Sequence, residues 1–278
     1  ISDINCLPFP HWDIYPSNSF FYSIYTDMTP VFPVLSSRGC PNPCGYYCPY
    51  PLTQGKRFRA RALENVIDEL VYLKQKYGAQ AVVFRDPIFT YDMDRAMRIS
   101  EGMSKRDMGL RWVAETTPFQ INRELLEAMA KAGLVGLNIG IESADPEVLE
   151  SSGRQRAKYD NLKELIRWCH GLDIKVGAFY IIGLQGDTKD SIEQTIRMSK
   201  ELRTDYAQFS IATPYPGTRF YDKVRNDIIE NEWGCFDGCT AVVGSGNLSP
   251  KKLNELKWKA LRSFYLRPSY IFQRLGIL

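Results

Sequence analysis

The segment Leu134-Val-Gly-Leu-Asn-Ile-Gly-Ile-Glu-Ser-Ala-Asp-Pro146 contains a complete strand-to-helix transition. The apolar run from Leu134 to Ile141 suits a buried strand and leads into a short polar loop. Asp145 followed by Pro146 is typical of a helix start, with an N-cap residue and a proline at the first helical position. Strand, loop and helix in this order form one unit of a parallel sheet with crossover helices.

The same pattern recurs along the chain from residue 31. Six apolar runs suit buried parallel strands, and a loop and then a helical pattern follow each of them. The runs are Val31 to Leu35, Ala81 to Phe84, Arg111 to Ala114, Leu134 to Ile141, Val176 to Leu184 and Tyr206 to Ile211. Six such units are two fewer than a closed eight-stranded barrel has. We therefore expect an α/β protein, a partial (β/α)6 TIM-like barrel, with functional residues after the C-terminal ends of its strands.

Length and composition restrict the class of protein. The chain has 278 residues, of which 44% are hydrophobic and 24% charged, as in globular proteins rather than disordered, collagen-like or coiled-coil chains. A net charge of +3 is too small for a surface built to neutralise a phosphate backbone, so a nucleic acid is not an expected partner. The seven cysteines are an odd number, no signal peptide opens the chain, and no apolar run reaches about 18 residues. We therefore expect a cytoplasmic protein.

Three segments are expected. Residues 1–30 are rich in prolines and aromatic side chains, including Pro8, Trp12, Pro16 and Phe20, and suit an extended linker. Residues 31–248 form the barrel. Residues 249–278 form a C-terminal helical extension.

The C-terminal extension has a strong charge bias. It contains seven basic residues and one acidic residue, so it carries +6. Its apolar residues include Leu253, Leu256, Leu261 and Phe264. Two interpretations stay open: a peripheral contact with an anionic membrane where a lipid substrate resides, or a helix packed on the barrel with a solvated basic face.

Three cysteines lie close together in the loop after the first strand, Ser37-Arg-Gly-Cys-Pro-Asn-Pro-Cys-Gly-Tyr-Tyr-Cys-Pro49. Cys40, Cys44 and Cys48 on a proline-stiffened loop suit an iron-sulfur cluster, and three ligands would leave one iron of a four-iron cluster open. Zinc is the alternative metal. A structural zinc site would need a fourth ligand, and neither His11 nor His170 has zinc-like spacing from these cysteines.

With this loop, the chain resembles the radical S-adenosylmethionine (SAM) enzymes. In that family three cysteines after the first barrel strand hold a [4Fe-4S] cluster, and SAM binds the fourth iron. The family spacing is Cys-x3-Cys-x2-Cys, whereas this chain has one more residue in the second gap. The resemblance implies that Cys40, Cys44 and Cys48 are the cluster ligands. It also places Tyr47, which directly precedes the last cysteine, beside the adenine.

Two more segments carry the resemblance after the second and fourth strands. Phe84-Arg-Asp-Pro-Ile-Phe-Thr90 matches the family segment that faces the SAM amino group, which implies a role for Asp86. Gly140-Ile-Glu-Ser143 is a signature of the superfamily and implies that Glu142 and Ser143 contact the SAM ribose or amino group. Structural roles stay open as alternatives: a loop cap for Asp86 and an ion pair for Glu142.

Segments after the fifth and sixth strands continue the match. Ile181-Ile-Gly-Leu-Gln-Gly-Asp-Thr188 resembles the family's Gly-Leu-Pro-Gly-Glu-Thr segment, which implies that the backbone near Ile182 meets adenine. Ala212-Thr-Pro-Tyr-Pro-Gly-Thr218 matches another family turn and implies that Thr213 lies at the cofactor; a plain strand-to-helix connection is the alternative. Glu115 is expected either to contact SAM or substrate or to pair with Arg111 or Arg85.

One branch of the superfamily fits best. Residues 3–16 resemble the connector that joins a cobalamin-binding domain to the barrel, and Phe264-Tyr-Leu-Arg-Pro268 resembles the C-terminal extension of that branch. The resemblance implies reductive cleavage of SAM to a 5'-deoxyadenosyl radical that acts on an unactivated carbon, in a cobalamin-dependent methyltransferase or cyclase. The implied partners are a cobalamin domain outside this chain, a flavodoxin- or ferredoxin-type electron donor, and an organic small-molecule or lipid substrate. The alternative is a non-catalytic iron-sulfur electron carrier or a zinc-binding protein.

Overall fold

The computed structural model describes residues 3–15, 23–42, 44, 46–230 and 232–275. Pro16 and Phe20 of the expected linker, and Pro43 and Gly45 of the cysteine loop, lie outside these residues.

A parallel sheet is the main element of the fold. The strands are β1 (Val31–Val34), β2 (Ser37–Arg38), β3 (Arg59–Ala60), β4 (Ala81–Phe84), β5 (Arg111–Thr116), β6 (Leu134–Glu142), β7 (Lys175–Ile182) and β8 (Tyr206–Ile211). Six of them form one sheet in the order β1-β4-β5-β6-β7-β8, while β2 and β3 form an antiparallel pair. β1, β4, β5 and β6 pair in parallel, as do β7 and β8. The expected α/β fold with six parallel strands of a partial barrel is confirmed.

Helices connect the strands. They are α1 (Tyr50–Thr53), α2 (Leu63–Tyr77), α3 (Met93–Lys105), α4 (Arg123–Lys131), α5 (Pro146–Ser151), α6 (Tyr159–Gly171), α7 (Lys189–Glu201), α8 (Arg219–Val224), α9 (Pro250–Tyr265) and α10 (Pro268–Arg274). The predicted cap at Asp145 forms, because its side chain accepts from the Glu147 and Val148 N–H groups. Thr188 forms a capping box with Ser191. In the N-terminal segment, the structure has two short 3₁₀ turns at Ile4–Cys6 and Trp12–Ile14.

β7 ends two residues before its apolar run does. The run continues to Leu184, but β7 ends at Ile182 because Gly183 has a φ of +86°, which turns the chain out of the strand.

The chain divides into two compact units. Unit 1 comprises Ile1–Pro41, Gln54–Ile139 and Lys163–Val176, and so contains β1 to β5 and most of β6. Unit 2 comprises Asn42–Thr53, Gly140–Leu162 and Gly177–Leu278. It contains the end of β6, most of β7, β8, and the helices α1, α5 and α7 to α10.

Within unit 1, Tyr25 connects the N-terminal segment to β6. Its ring packs against Gly136 of β6, where an added Cβ would lie 2.4 Å from two ring carbons. Its hydroxyl donates to the side-chain oxygen of Asn138, which is two residues further along the strand and therefore on the same face. Lys175 Nζ donates to the carbonyl of Tyr25 at 3.3 Å. Tyr25 is buried by these contacts.

The C-terminal extension packs on unit 2. α9 contacts β8 and α7. Its own side chains Leu253, Leu256 and Phe264 are buried, and Leu261 is half-buried. Burial of these side chains fits the packed-helix interpretation, whereas Trp258, Leu266 and Phe272 of the same extension are exposed. A peripheral membrane contact therefore stays a prediction. Within the described ranges, no helix combines the length and the apolar character that crossing a bilayer requires.

The Tyr25 contact gives a test of the fold. We expect Gly136→Ala to lower the free energy of unfolding by about 1–3 kcal/mol, because the new methyl group would overlap the Tyr25 ring. Gly171→Ala is the matched control, since an added Cβ there has no atom within 4 Å. Denaturant unfolding of both variants, and of Gly136→Ala in a Tyr25→Ala background, measures the effect. An equal cost of Gly136→Ala in both backgrounds would contradict the proposed overlap.

Candidate functional site in unit 2 and the supporting residues of unit 1

The first cysteine of the loop belongs to unit 1. Cys40 is buried, and its backbone N–H donates to the carbonyl of Gly55 at 3.0 Å. Gly39 has a φ of +94°, and a Cβ on it would lie 1.9 Å from the carbonyl oxygen of Arg57. A residue with a side chain cannot occupy this position, so glycine determines the path by which the chain reaches Cys40.

Cys44 and Cys48 belong to unit 2 and lie on a tight turn. The N–H of Cys48 donates to the carbonyl of Cys44 at 3.2 Å. A hydrogen bond from the Cys48 thiol and the charge of Arg154 lower the pKa of Cys44 to about 6, although burial and Glu142 act in the opposite direction. The thiolate is the form that binds metals, so this environment favours a ligating Cys44.

A buried ion pair lies beside Cys44. The guanidinium of Arg154 pairs with the carboxylate of Glu142, and its Nη1 lies 3.6 Å from Cys44 Sγ. Both side chains are largely buried, with 15% of Arg154 and 10% of Glu142 exposed. Burial raises the pKa of Glu142, and the charge of Arg154 opposes this rise. The ion pair alternative for Glu142 is thus observed.

The backbone around Glu142 is adapted to this pair. Glu142 is the last residue of β6 and has a φ of +67°, a left-handed conformation that is costly outside glycine and tends to occur at functional sites. A Cβ on Gly140 would lie 2.7 Å from both Arg154 Nη2 and Glu142 Oε1. The absence of a side chain at residue 140 therefore leaves the space that the pair occupies.

Two aromatic residues of the cysteine loop pack on the core of unit 2. Tyr46 and Tyr47 both contact an apolar cluster that includes Leu184 and Phe220. The Tyr46 ring lies 5.6 Å from that of Phe220, and the Tyr46 carbonyl accepts from the Phe220 N–H at 2.8 Å. Burial and the charge of Glu142 raise the pKa of Tyr47, so its hydroxyl stays neutral. The charge of Glu142 thus acts on the pKa of Tyr47, whereas burial accounts for the raised pKa of Tyr46.

The other predicted residues of unit 2 are buried at their strand ends. Ser143 Oγ lies 3.3 Å from Thr195 Oγ1 and accepts from the Asp145 N–H at 3.1 Å. Ile182 accepts through its carbonyl from the Ala212 N–H at 2.8 Å, and the Thr213 hydroxyl donates to the Ile211 carbonyl at 3.1 Å. Their polar atoms are engaged within the chain.

Asp187 supports the turn after β7. Its carboxylate accepts from the backbone N–H groups of Gly183 and Leu184, at 2.8 and 3.1 Å, and from the Ser191 hydroxyl at 2.7 Å. Burial raises the pKa of Asp187 to about 6 despite these donors. The acidic residue in this segment therefore holds the backbone that follows Ile182.

In unit 1, Asp86 holds the start of the cysteine loop. Its carboxylate is fully buried and accepts from the Ser36 N–H at 2.9 Å, from the Ser36 hydroxyl at 2.8 Å, and from the Ser37 hydroxyl. Arg95 donates to the Ser36 hydroxyl at 3.0 Å and to its carbonyl at 2.8 Å. Both oxygens of Asp86 thus have partners within the chain. Nearby, Arg85 pairs with Glu115 at 3.0 Å, which is one of the two ion pairs expected for Glu115.

Sequence reasoning did not identify Arg154 or Arg95. Arg154 follows the short helix α5 rather than a strand, and Arg95 lies within α3, so neither position carries the strand-end signal on which the prediction depended. The left-handed Gly153 directly before Arg154 is a weak signal, because it marks a turn that redirects the chain.

The donor set can be compared with that of an iron-sulfur site. In the described part of the chain, no group of three or more histidine, cysteine and acidic side chains is arranged as a metal site. The chemistry of the donors nevertheless fits: Cys40 and Cys44 are buried thiols, and Cys44 has a lowered pKa. Soft thiolates in a loop select iron-sulfur clusters.

Comparisons with known proteins agree with this chemistry. The model of the Radical SAM superfamily matches residues 34–199. An uncharacterised methyltransferase of Pyrococcus horikoshii is 31% identical over 275 residues, covering 98% of this chain and 59% of that protein. The bacteriochlorophyllide d C-12(1)-methyltransferase of Chlorobaculum tepidum is 27% identical, covering 88% of this chain and 54% of that protein.

A solved structure shares the fold. The radical SAM methyltransferase TsrM of Kitasatospora setae, with cobalamin and a [4Fe-4S] cluster bound, aligns with a TM-score of 0.65 and 20% identity over 81% of this chain and 46% of TsrM. The chain thus spans about half the length of the relatives it matches. The family match over residues 34–199 confirms the resemblance found in the sequence: the chain belongs to the radical SAM superfamily, whose enzymes use a [4Fe-4S] cluster and SAM.

Proposed function

We propose that this chain binds a [4Fe-4S] cluster through Cys40, Cys44 and Cys48 and cleaves SAM reductively within a larger cobalamin-dependent methyltransferase or cyclase. The observation that carries the proposal is the buried pair of Glu142 and Arg154, whose guanidinium lies 3.6 Å from Cys44 Sγ. In unit 2, the Cys44 thiol, the Arg154 cation and the Glu142 anion therefore lie next to one another. SAM brings an ammonium and a carboxylate to the metal it binds, and this pair offers a complement to each.

Glu142 and Arg154 could each replace their contact with the other by a contact with a charged group of SAM. Arg154 can bind the SAM carboxylate in the two-pronged geometry that guanidinium groups favour, and Glu142 can then accept from the SAM ammonium. Both interactions would form in a largely buried environment, where charge pairing is stronger than in water. The ion pair of the free chain keeps both charges compensated until the ligand arrives.

Uncharged groups would hold the rest of SAM. Ser143 lies next to Glu142, and Ile182 and Thr213 end or follow neighbouring strands of unit 2. The proposal is that their backbone groups contact the ribose and the adenine. Tyr47 adds an aromatic surface beside the last cysteine. For the segment from Phe84 to Thr90, the proposed contact with SAM is through backbone groups, because the Asp86 carboxylate is engaged by serines.

Held by Cys40, Cys44 and Cys48, the cluster would supply one electron for splitting SAM into methionine and a 5'-deoxyadenosyl radical that could take hydrogen from an unactivated carbon. The chain's own residues orient SAM and exclude water. The buried apolar side chains that pack against Tyr46 and Tyr47 include Leu184 and Phe220. They would limit the access of water to this part of the loop.

The wider reaction rests on the relatives. Two of them are named as methyltransferases, and TsrM binds cobalamin. Since this chain spans about half of their length, we propose that cobalamin binds to a domain outside the 278 residues. A flavodoxin- or ferredoxin-type reductant and an organic small-molecule substrate complete the proposal, and the cysteine usage favours the reducing cytoplasm.

The cluster assignment predicts a loss of iron. Anaerobically reconstituted chain is expected to hold about four irons, and Cys40→Ala, Cys44→Ala or Cys48→Ala each to lose most of them together with 5'-deoxyadenosine formation from SAM. Cys6→Ala is the control, because Cys6 is exposed and its thiol donates to the nearby Asp3 carbonyl at 3.0 Å. Iron content and chromatographic assay of 5'-deoxyadenosine measure the result. Full iron retention in the variant lacking all three thiols would overturn the assignment.

The SAM assignment predicts a separate effect. Glu142→Gln is expected to weaken SAM binding by about tenfold to a hundredfold, because a hydrogen bond to a charged partner contributes about 1.5–3 kcal/mol. The cluster should remain, since Glu142 is not a ligand. Glu193→Gln, which removes a carboxylate paired with Lys259 in the same unit, is the control. Equilibrium dialysis with labelled SAM measures the affinity of each variant. Unchanged affinity in Glu142→Gln would limit Glu142 to a structural role.

A further inference from the structure

Unit 1 contains a cavity of about 260 Å³ that none of the preceding residue roles uses. Its lining includes residues of the N-terminal segment, such as Phe9 and Trp12, and residues at and just after the end of β1, such as Val34 and Leu35. Three lining residues, Pro8, Pro10 and Pro33, are prolines, which have no N–H group to donate. Aliphatic, aromatic and proline side chains therefore form the uncharged part of the lining.

The charges at this cavity do not balance. Its lining includes three guanidinium groups, Arg38, Arg61 and Arg85, and a single carboxylate, Glu69. Glu69 pairs with Arg61, and Arg85 pairs with Glu115. No ion pair or hydrogen bond of the Arg38 side chain is found among the residues that the structure describes. One cation at the cavity is left for a ligand to neutralise.

The backbone directs Arg38 to this position. In β2, successive side chains point to opposite faces, and Ser37 faces Asp86, so Arg38 is turned the other way. Its partner across the β2–β3 pair is Arg59, a second cation that cannot neutralise it. Arg38 is half-buried, which makes an uncompensated charge costly and an anion next to it favourable.

We propose that this cavity is a binding site for a small organic anion, with a ring against Phe9 and Trp12 and a phosphate or carboxylate on Arg38. Size supports one ring with an anionic group, since an apolar cavity of about 150 Å³ holds a benzene molecule and drug-sized ligands need about 300 Å³ or more. Arg85, whose side chain is 52% exposed, is a further cation in the lining. Arg38, Phe9 and Trp12, on which the proposal depends, are not proposed ligands of the cluster or of SAM, so the proposal is tested separately from the proposed function.

The test uses the full chain and phenyl phosphate as the probe, with inorganic phosphate and phenol as its two halves. By isothermal titration calorimetry, phenyl phosphate should bind at least about tenfold more tightly than either half, because only it engages both the ring wall and Arg38. Arg38→Gln should weaken this binding by about tenfold or more, as expected for loss of a charged hydrogen bond. Arg98→Gln, on the exposed surface of α3, should leave it unchanged.

A second variant separates binding from folding. Leu7→Trp places bulk in the cavity and keeps Arg38, so it should also abolish phenyl phosphate binding, with folding checked by circular dichroism. If Arg38→Gln does not fold, the Leu7→Trp result decides. Binding that is equal in wild type and a folded Arg38→Gln, that persists in Leu7→Trp, or that is no tighter than for inorganic phosphate would overturn the proposal.

Discussion

A carboxylate buried at the end of a parallel strand is the constraint on which the candidate site depends. Glu142 cannot remain charged in that position without a cation, and Arg154 supplies it. Three further features follow from this need. Gly140 leaves room for the pair, the backbone of Glu142 adopts a left-handed conformation, and the guanidinium comes to lie beside Cys44. The charge of Arg154 then helps to lower the pKa of that thiol.

The fold was predictable from the sequence because its signals are local. Buried parallel strands require continuous apolar runs, and the run from Leu134 to Ile141 matches β6 to within one residue. Asp145 and Thr188 cap helices as their side-chain chemistry indicates. The boundary of β7 was predicted too far along the chain, because Leu184 is apolar but belongs to a turn that Gly183 starts and Asp187 holds. Hydrophobicity alone does not report a positive φ.

The site was predictable only in part, because its partners are distant in sequence. The cysteines and Glu142 follow or end strands, where a sequence motif identifies them. Arg154 is twelve residues after Glu142 and beyond a helix, and which cation reaches a buried carboxylate depends on tertiary packing. Tyr25 is a similar case: its contact with Gly136 depends on an aromatic residue more than a hundred positions away, which no pattern in β6 indicates.

The buried carboxylates of the strand ends differ in the kind of partner they have. Asp86 and Asp187 accept from backbone N–H groups and from serine hydroxyls, which the chain holds in place. Replacing those donors by a ligand would require the loops themselves to move. Glu142 instead pairs with the end of a long, rotatable side chain. A ligand with an ammonium and a carboxylate can replace Arg154 as the partner of Glu142 and replace Glu142 as the partner of Arg154, while the backbone stays fixed. This property favours Glu142 over the two aspartates as the carboxylate proposed to contact SAM.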